Sequence, residues 1–557
     1  MSVGSFVFVL HSHLPFYRKA GMWPFGEESV YECMAETYIP LLNAIAELKD
    51  EGIKANLTLG ITPVLAEQLS DEHMKEGFAS YCNRKIEAAQ IDEARFKPRG
   101  ESPNPELLHL SRYYQNWYAS ALNSFTQRWD RDIIGALKGF QDEGVIEITT
   151  SCATHCLSPL LEEDTSLNLQ FQTGLNTYKK HFGKTPRGFW LPECAYRPAD
   201  KNRPGIGHYL NQIGIEYFFT ESFVVKGGET AELRKVFGPY GSIDYVPAPK
   251  RPETGYDTFE AFWLKEYPIA VMGRHEEAGY QVWSQDHGYP GDGNYREFHK
   301  KDDRSGLNYW KLTSKDTSLG EKHLYSPEIA AERVKENSDH YVGLIQKHLH
   351  DHFRESGKPG LLLVAFDTEL FGHWWFEGVE FIKQVIRKLN KYTKIALVQA
   401  GDYISRNKPE HALELPASSW GSGGAWEVWL NKETEWMWEK IHKAESDFKA
   451  CLEKNLQKSG RTSDDLQKRA LNQAARELLL VQSSDWPFLV TTGQAKQYAI
   501  DRFNKHLEKF NTLLSMLDEG KVSAETLESY ESTDNCFKDI NLDSLEKSKS
   551  DYAARTK

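Results

Sequence analysis

Short apolar runs alternate with amphipathic stretches over about the first 400 residues of the chain. Ser5–Leu10 is a continuous apolar run of strand character and ends at His11-Ser-His13-Leu-Pro15. Glu28–Asp50 follows with helical spacing, and Gly52 stops it. Lys54–Leu59, Val145–Thr149, Arg187–Leu191, Ile215–Phe219, Ile269–Met272 and Leu361–Phe366 read as further buried strands, with Ile395–Val398 as an eighth candidate. Helical patterns, including Ser166–His181 and Pro327–Phe353, lie between most of them. Alternating strand and helix predicts an α/β fold with a parallel sheet covered by helices, and seven or eight such units predict a β/α barrel. Functional side chains of such barrels cluster at the C-terminal ends of the strands. The polar motifs of this chain fall at those ends.

Two insertions interrupt the alternation. Residues from about 63 to 140 are polar and helical, with the aromatic-rich SRYYQNWYASALNSF at their centre. Residues from about 222 to 310 form an excursion rich in Gly, Pro and Tyr, too long for a simple connection and therefore a lid or loop over the site. The strands stop near residue 409, which closes the barrel domain at 1–409. Asn431–Gln457, Ser463–Gln482 and Thr492–Asp518 then predict a helical domain over 410–522. The charged, Ser-rich tail 523–557 is expected to be poorly ordered.

Apolar residues make up 40% of 557, enough for a large core. The net charge of −13 disfavours a nucleic-acid partner, because phosphate backbones attract basic surfaces, and it suits a neutral substrate. No apolar run is long enough to cross a bilayer, and Met1 leads directly into a strand without a basic leader, so no membrane partner or signal peptide is expected. Seven scattered cysteines, an odd number without paired spacing, argue against a disulfide framework and for a reducing cytoplasmic setting.

The candidate chemistry rests first on two acids at the ends of apolar runs. Glu193 stands in RGFWLPECAYRP and Asp367 in LLLVAFDTELFGHWWFEG. Aromatic faces stack on pyranose C–H faces, and two carboxyls across a glycosidic bond can serve as nucleophile and general acid/base. Either acid alone would be an ordinary loop residue. Arg197, four residues on, would hold Glu193 ionised or simply pair with it. Glu369 alternates onto the same face as Asp367, so either could be the acid. His11 and His13 share a strand face and His155 ends another strand; they would contact substrate, ligate a metal or merely hydrogen-bond at the rim. The excursion contributes Arg274, Trp283 and the turn-rich GYPGDG. Ser419-Trp-Gly-Ser-Gly-Gly-Ala-Trp-Glu-Val-Trp-Leu-Asn431 offers a flat aromatic surface around Trp420 and Trp429, or a domain junction with tryptophans as core filler. Asp485, in Gln482-Ser-Ser-Asp485-Trp-Pro487, would reach the cleft or cap a turn.

Taken in order, HSHLP (11–15), EITTSCATH (147–155), GFWLPECAY (188–196), LLVAFDTELFGHWW (362–375) and ASSWGSGGAWEVWLN (417–431) resemble the signature regions of glycoside hydrolase family 57, in particular its 1,4-α-glucan branching enzyme group. The resemblance implies an incomplete (β/α)7 barrel with a helical insertion and an all-helical C-terminal domain. It implies Glu193 as nucleophile and Asp367 as acid/base, about 5–5.5 Å apart for a retaining reaction. It further implies substrate contacts from His11, His13 and His155, with Trp283, Trp420 and Trp429 shaping a glucan groove; Arg274, Trp375 and Asp485 are grouped with them. The expected partner is an α-1,4-glucan, with no metal and no cofactor, acted on by a monomer or small homo-oligomer. Ser422 departs from the group's pattern, which has a glutamate there, and Tyr240 is a candidate for a tyrosine expected in the excursion. The competing readings are an α-amylase or 4-α-glucanotransferase with the same carboxyls, a metal-dependent hydrolase using the three histidines, and a non-catalytic glucan binder.

Overall fold

The fold was analysed in a computed structural model, which describes residues 2–22, 25–97, 104–228, 234–238, 241–246, 248–284, 287–458, 465–542 and 545. Among the described residues twelve strands run in chain order: β1 (Gly4–Ser12), β2 (Thr58–Ile61), β3 (Glu147–Ser151), β4 (Gly188–Trp190), β5 (Tyr217–Thr220), β6 (Arg234–Gly238), β7 (Gly241–Tyr245), β8 (Ala261–Leu264), β9 (Ala270–Gly273), β10 (Gly360–Asp367), β11 (Ile395–Leu397) and β12 (His411–Leu413). Seven of them pair in parallel in the order β10-β1-β2-β3-β4-β5-β9. These are the seven strands of an incomplete barrel. The ring is left open between β9 and β10, where β8 joins β9 antiparallel and carries β12 outward. Single contacts span the seam: the His275 N–H donates to Leu363 O at 2.7 Å, and Arg274 Nη1 donates to Ala365 O at 3.1 Å.

Strand parity sorts the apolar residues into two cores. Phe6, Phe8 and Leu10 of β1, with Leu362, Val364 and Phe366 of β10, pack outward under the helices. Val7 and Val9, with Leu361, Leu363, Ala365, Trp190, Tyr217, Phe219, Ala270 and Met272, fill the interior of the ring. Continuing that parity by one step puts His11 and Asp367 on the inner side at the strand ends.

The eighth strand candidate is not a stave of the ring. β11 pairs only with Gly4–Phe6 at the start of β1, on the side where β2 later pairs with Val9–Ser12. β2 therefore begins at Thr58 rather than Lys54. Asn56, at φ 48°, turns the chain aside, and its side-chain amide donates to Leu397 O at 2.9 Å. The excursion is also more ordered than a loop: β6 and β7 form a hairpin, and β8, β9 and the helix Glu276–Trp283 lie within it. Tyr240 falls outside the described residues.

After the barrel come the helices Glu435–Lys458, Asp465–Val481, Asp485–Thr492, Lys496–Glu519 and Ala524–Thr533. The described part of the tail, 523–542 and 545, is structured. It opens with a capped helix, and Cys536, Phe537, Ile540, Leu542 and Leu545 are buried against Phe448, Leu478 and Phe510. Asp534 pairs with Lys509 inside that contact. Composition hides these apolar residues because they come one or two at a time among charged and polar ones. The helical part is joined to the barrel by Arg502 Nη2 donating to Phe16 O at 2.8 Å and by a bridge between Cys156 and Ser483.

Candidate active site

The site forms where β1, β3, β4 and β10 end. His11 and Asp367 are register partners on adjacent parallel strands. His11 lies flat on Trp190, with ring centroids 4.5 Å apart. His155 stacks on His13 at 3.9 Å and on His11 at 5.1 Å, so the three histidines and Trp190 make one pile of rings. His155 sits at φ 55°, in the left-handed region that non-glycine residues seldom occupy and that clusters at functional sites. Burial drives the pKa values of His11 and His155 well below the ordinary histidine value, with neighbouring histidines adding to the effect, so both rings are neutral. His13 is tied at both ends: Nδ1 lies 3.0 Å from Thr62 Oγ1, and Nε2 lies 3.0 Å from Asp485 Oδ2.

Glu193 is held in a tight turn after β4 at φ 60°, ψ 23°, and Cys194 follows at φ 49°. Its side chain is 14% exposed. The Trp420 indole N–H donates to Oε2 at 2.6 Å, and the Trp420 backbone N–H donates to the Glu193 carbonyl at 2.8 Å. Ser484 Oγ donates to Oε1 at 3.3 Å. Arg197 turns away to the carbonyls of Pro198 and Pro204, so neither form of the Arg197 expectation holds. The backbone turn points the two side chains apart. The cation of the site is Arg274 instead. Its Nε lies 2.6 Å from Glu221 Oε1, and its guanidinium sits 5.0 Å over the Trp420 ring.

Burial lifts the Glu193 carboxyl to about 8, and the nearby charges of Asp367 and Asp485 add to this against the two donors. Burial likewise lifts Asp367 to about 7, with Arg274 and His13 opposing it. Glu369 turns back below the rim, 2% exposed. There it accepts the Tyr38 hydroxyl and the His13 backbone N–H, the latter at 3.2 Å, and burial lifts it to about 8. Tyr38 ends a π-helical turn, Met34–Tyr38, set inside the helix that follows β1. Asp367 is thus the open carboxyl and Glu369 a braced one.

These raised carboxyls have a sign for stability. Each is higher in the folded chain than its ordinary value near 4, so folding takes up protons and stability is lost as pH rises from about 4 towards 8. Glu193→Gln cannot ionise. Its melting midpoint is expected to exceed that of the parent near pH 8 and to lose that advantage towards about pH 4, as read by scanning calorimetry.

Two tryptophans expected at the substrate surface are core residues. Trp375 is 1% exposed, wedged among Tyr295, Phe371 and Phe381. Trp429 is 1% exposed beneath Gly421, where a Cβ would lie 2.5 Å from its ring. Neither offers a free face to a sugar. Trp283 is partly buried, 6.2 Å from Phe366 at the end of β10. The histidines face one another rather than a common point, and His13 and His155 also reach Asp485 and Ser484. Among the described residues, the ligand atoms that converge belong to Glu477, His506 and Asp534 in the helical part, where Lys509 already pairs with Asp534. Sequence reading passed over Trp190, Ser484 and Glu221. Ser484 was signalled only by its place beside Asp485, and Trp190 by strand parity.

An open-seamed parallel barrel with a carboxyl pair among stacked rings places the protein among carbohydrate-active barrel enzymes. A model of glycosyl hydrolase family 57 matches residues 7–416, and one described as 1,4-alpha-glucan branching enzyme, C-terminal, matches residues 440–544. The chain belongs to glycosyl hydrolase family 57. It is 40% identical over 550 residues to the 1,4-alpha-glucan branching enzyme TK1436 of Thermococcus kodakarensis, covering 96% of this chain and 78% of that one. The crystal structure of that enzyme superposes with a TM-score of 0.87, covering 97% of this chain and 96% of the crystallised one. A branching enzyme of Pyrococcus horikoshii gives 0.86 at 38% identity, covering 98% and 97%. The alpha-amylase AmyC of Thermotoga maritima gives 0.81 at 30% identity, covering 98% and 99%.

Proposed function

We infer that the protein is a retaining α-glucan transglycosylase, a 1,4-α-glucan branching enzyme that moves a segment of α-1,4 chain onto a 6-hydroxyl of a glycogen-like glucan. The observation that carries this reading is where the C-terminal helices enter the site. The segment matched by the branching-enzyme C-terminal model supplies Ser484 to Glu193 and Asp485 to His13. In the proposed reaction Glu193 attacks the anomeric carbon while Asp367 protonates the departing oxygen. The 6-hydroxyl of an acceptor glucan then attacks the glycosyl-enzyme, with Asp367 taking its proton and Glu193 leaving as carboxylate. Two inversions preserve the α configuration.

The proton must lie on Asp367 when glucan is bound. Burial raises both carboxyls in the resting site, so near neutral pH the pair retains protons and titrates as a unit. A glycosidic oxygen accepting a hydrogen bond from Asp367 pulls the proton there, and Glu193 already has two donors to stabilise the charge it then carries. Asp367 receives no side-chain hydrogen bond among the described residues, which leaves its proton free for the leaving group. A reducing cytoplasmic setting accords with seven buried, free cysteines.

The test is the product formed from amylose. New α-1,6 linkages, seen as their own anomeric proton signal, are expected to appear faster than reducing ends. Reducing ends alone would overturn branching in favour of an α-amylase, the second reading, which the likeness to AmyC supports.

A further inference from the structure

His11 Nε2 lies 3.1 Å from His155 Nε2, His155 Nδ1 lies 3.0 Å from Ser484 Oγ, and Ser484 Oγ lies 3.3 Å from Glu193 Oε1. We propose that these four residues form a one-way hydrogen-bond relay, with Thr149 beside Gly60 at its far end, that stabilises the ionised form of Glu193 and makes Ser484 a positioning residue for the nucleophile. This rests on the reading of Glu193 as nucleophile given above.

The direction follows from donor arithmetic. An ionised Glu193 can only accept, so the Ser484 hydroxyl donates to it. Ser484 Oγ must then accept from His155, which puts the His155 proton on Nδ1. A neutral His155 is left with a bare Nε2, which accepts from His11 Nε2–H. The remaining His11 nitrogen, Nδ1, is therefore a bare acceptor. It is buried and has no hydrogen-bond partner among the described residues, and the same is true of Thr149 Oγ1. Gly60 lies between them: a Cβ there would sit 3.2 Å from Thr149 Oγ1 and 3.3 Å from His11 Nδ1. A side chain at position 60 would fill that space, and glycine leaves room for one water to join the Thr149 hydroxyl to His11 Nδ1. Every N–H and O–H of the chain then points towards Glu193, and aligned hydrogen bonds polarise one another in that sense. If Glu193 takes up a proton, each step can reverse, so the polarity of the relay records the charge on the nucleophile. Sequence reading gave His11 and His155 to the substrate; their ring nitrogens are engaged here by protein.

The charged and titratable groups around Glu193 are Asp367 from β10, Asp485 from the helical part, Arg274 over the Trp420 ring, and His155 with His11 and His13 packed against it. None of them changes in the test variants. Ser484 caps its helix through its backbone and makes no side-chain cap bond, so Ser484→Ala removes the relay step without removing a cap. The expected result for Ser484→Ala is that the limb of the kcat/KM profile set by Glu193 ionisation moves up by about one pH unit, with kcat/KM at neutral pH down about tenfold. Ser484→Thr restores both. Thr149→Val, nearly isosteric, moves the limb the same way by a smaller amount. A neutron structure above about pH 9 places deuterium on His155 Nδ1 and His11 Nε2.

An unmoved limb in Ser484→Ala and Thr149→Val, or deuterium on His155 Nε2 in that structure, overturns the relay. Glu193→Gln separates the two ideas. If it is inactive while the limb stays put in Ser484→Ala, the nucleophile stands and the relay falls. If Glu193→Gln turns over glucan, the nucleophile assignment falls.

Discussion

Glu193→Gln is expected to lower kcat on amylose by on the order of 10^4-fold while leaving glucan binding within a few-fold of the parent. The amide matches the carboxyl in size and can still accept the Trp420 indole N–H, so the turn at φ 60° and the ring pile should persist. What is lost is the electron pair that forms the bond to the anomeric carbon. The stronger form of the test uses Glu193→Ala with added azide. A small anion in the emptied space attacks from the face that the carboxylate used, and the product is a β-glycosyl azide, with inverted configuration. Rescue with that stereochemistry identifies the nucleophile, and azide without effect on Glu193→Ala counts against it. The rise in melting midpoint near pH 8 expected for Glu193→Gln guards against a trivial explanation, because a misfolded variant would melt lower.

Asp367→Asn is expected to show a split between substrates. On glucan, where the departing oxygen needs a proton, turnover falls about 10^2- to 10^4-fold. On a maltooligosyl fluoride, whose leaving group needs none, the first step proceeds near the parent rate. The second step then lacks its base, so a glycosyl-enzyme accumulates, visible as a burst of fluoride and as added mass on the peptide that carries Glu193. Equal losses on both substrates would remove Asp367 from the acid/base role. Glu369 gives the contrast: because it braces Tyr38 and the His13 backbone, its amide variant should slow both substrates alike.

Much of the barrel was legible because its strands are continuous buried runs that end at polar motifs. β1 and β10 show this best, and their register fixes His11 opposite Asp367. Ile395–Leu397 looked like a stave because it is short, apolar and follows a helix. Only the positive φ of Asn56 and the late start of β2 reveal that it fills a gap at the foot of β1. The antiparallel β8 is a buried apolar run of only four residues, and its place inside the long excursion hides it among turns. At the site, the two carboxyls and three histidines were readable from motifs, and Asp485 from its polar neighbours. The tryptophans were not separable by sequence. Trp420 and Trp429 stand nine residues apart in one glycine-rich segment, yet one holds Glu193 and the other lies under Gly421. Trp375 was misplaced because its motif mixes rim and core within a single turn after Asp367. Arg197 was misjudged because proximity in sequence ignores a backbone that reverses at Glu193.

The two side-chain donors of Glu193, Trp420 and Ser484, both follow every strand of the ring in the chain. During synthesis the barrel leaves the ribosome first, and for the time it takes to make the later helices it presents Glu193 without either donor and His13 without Asp485. The incomplete polypeptide therefore lacks the two hydrogen bonds that favour the ionised form of this acid. The site as described is assembled only when the last helices dock, so a C-terminally clipped chain is expected to show little turnover, a loss that an activity assay on a chain ended before Gln482 would measure.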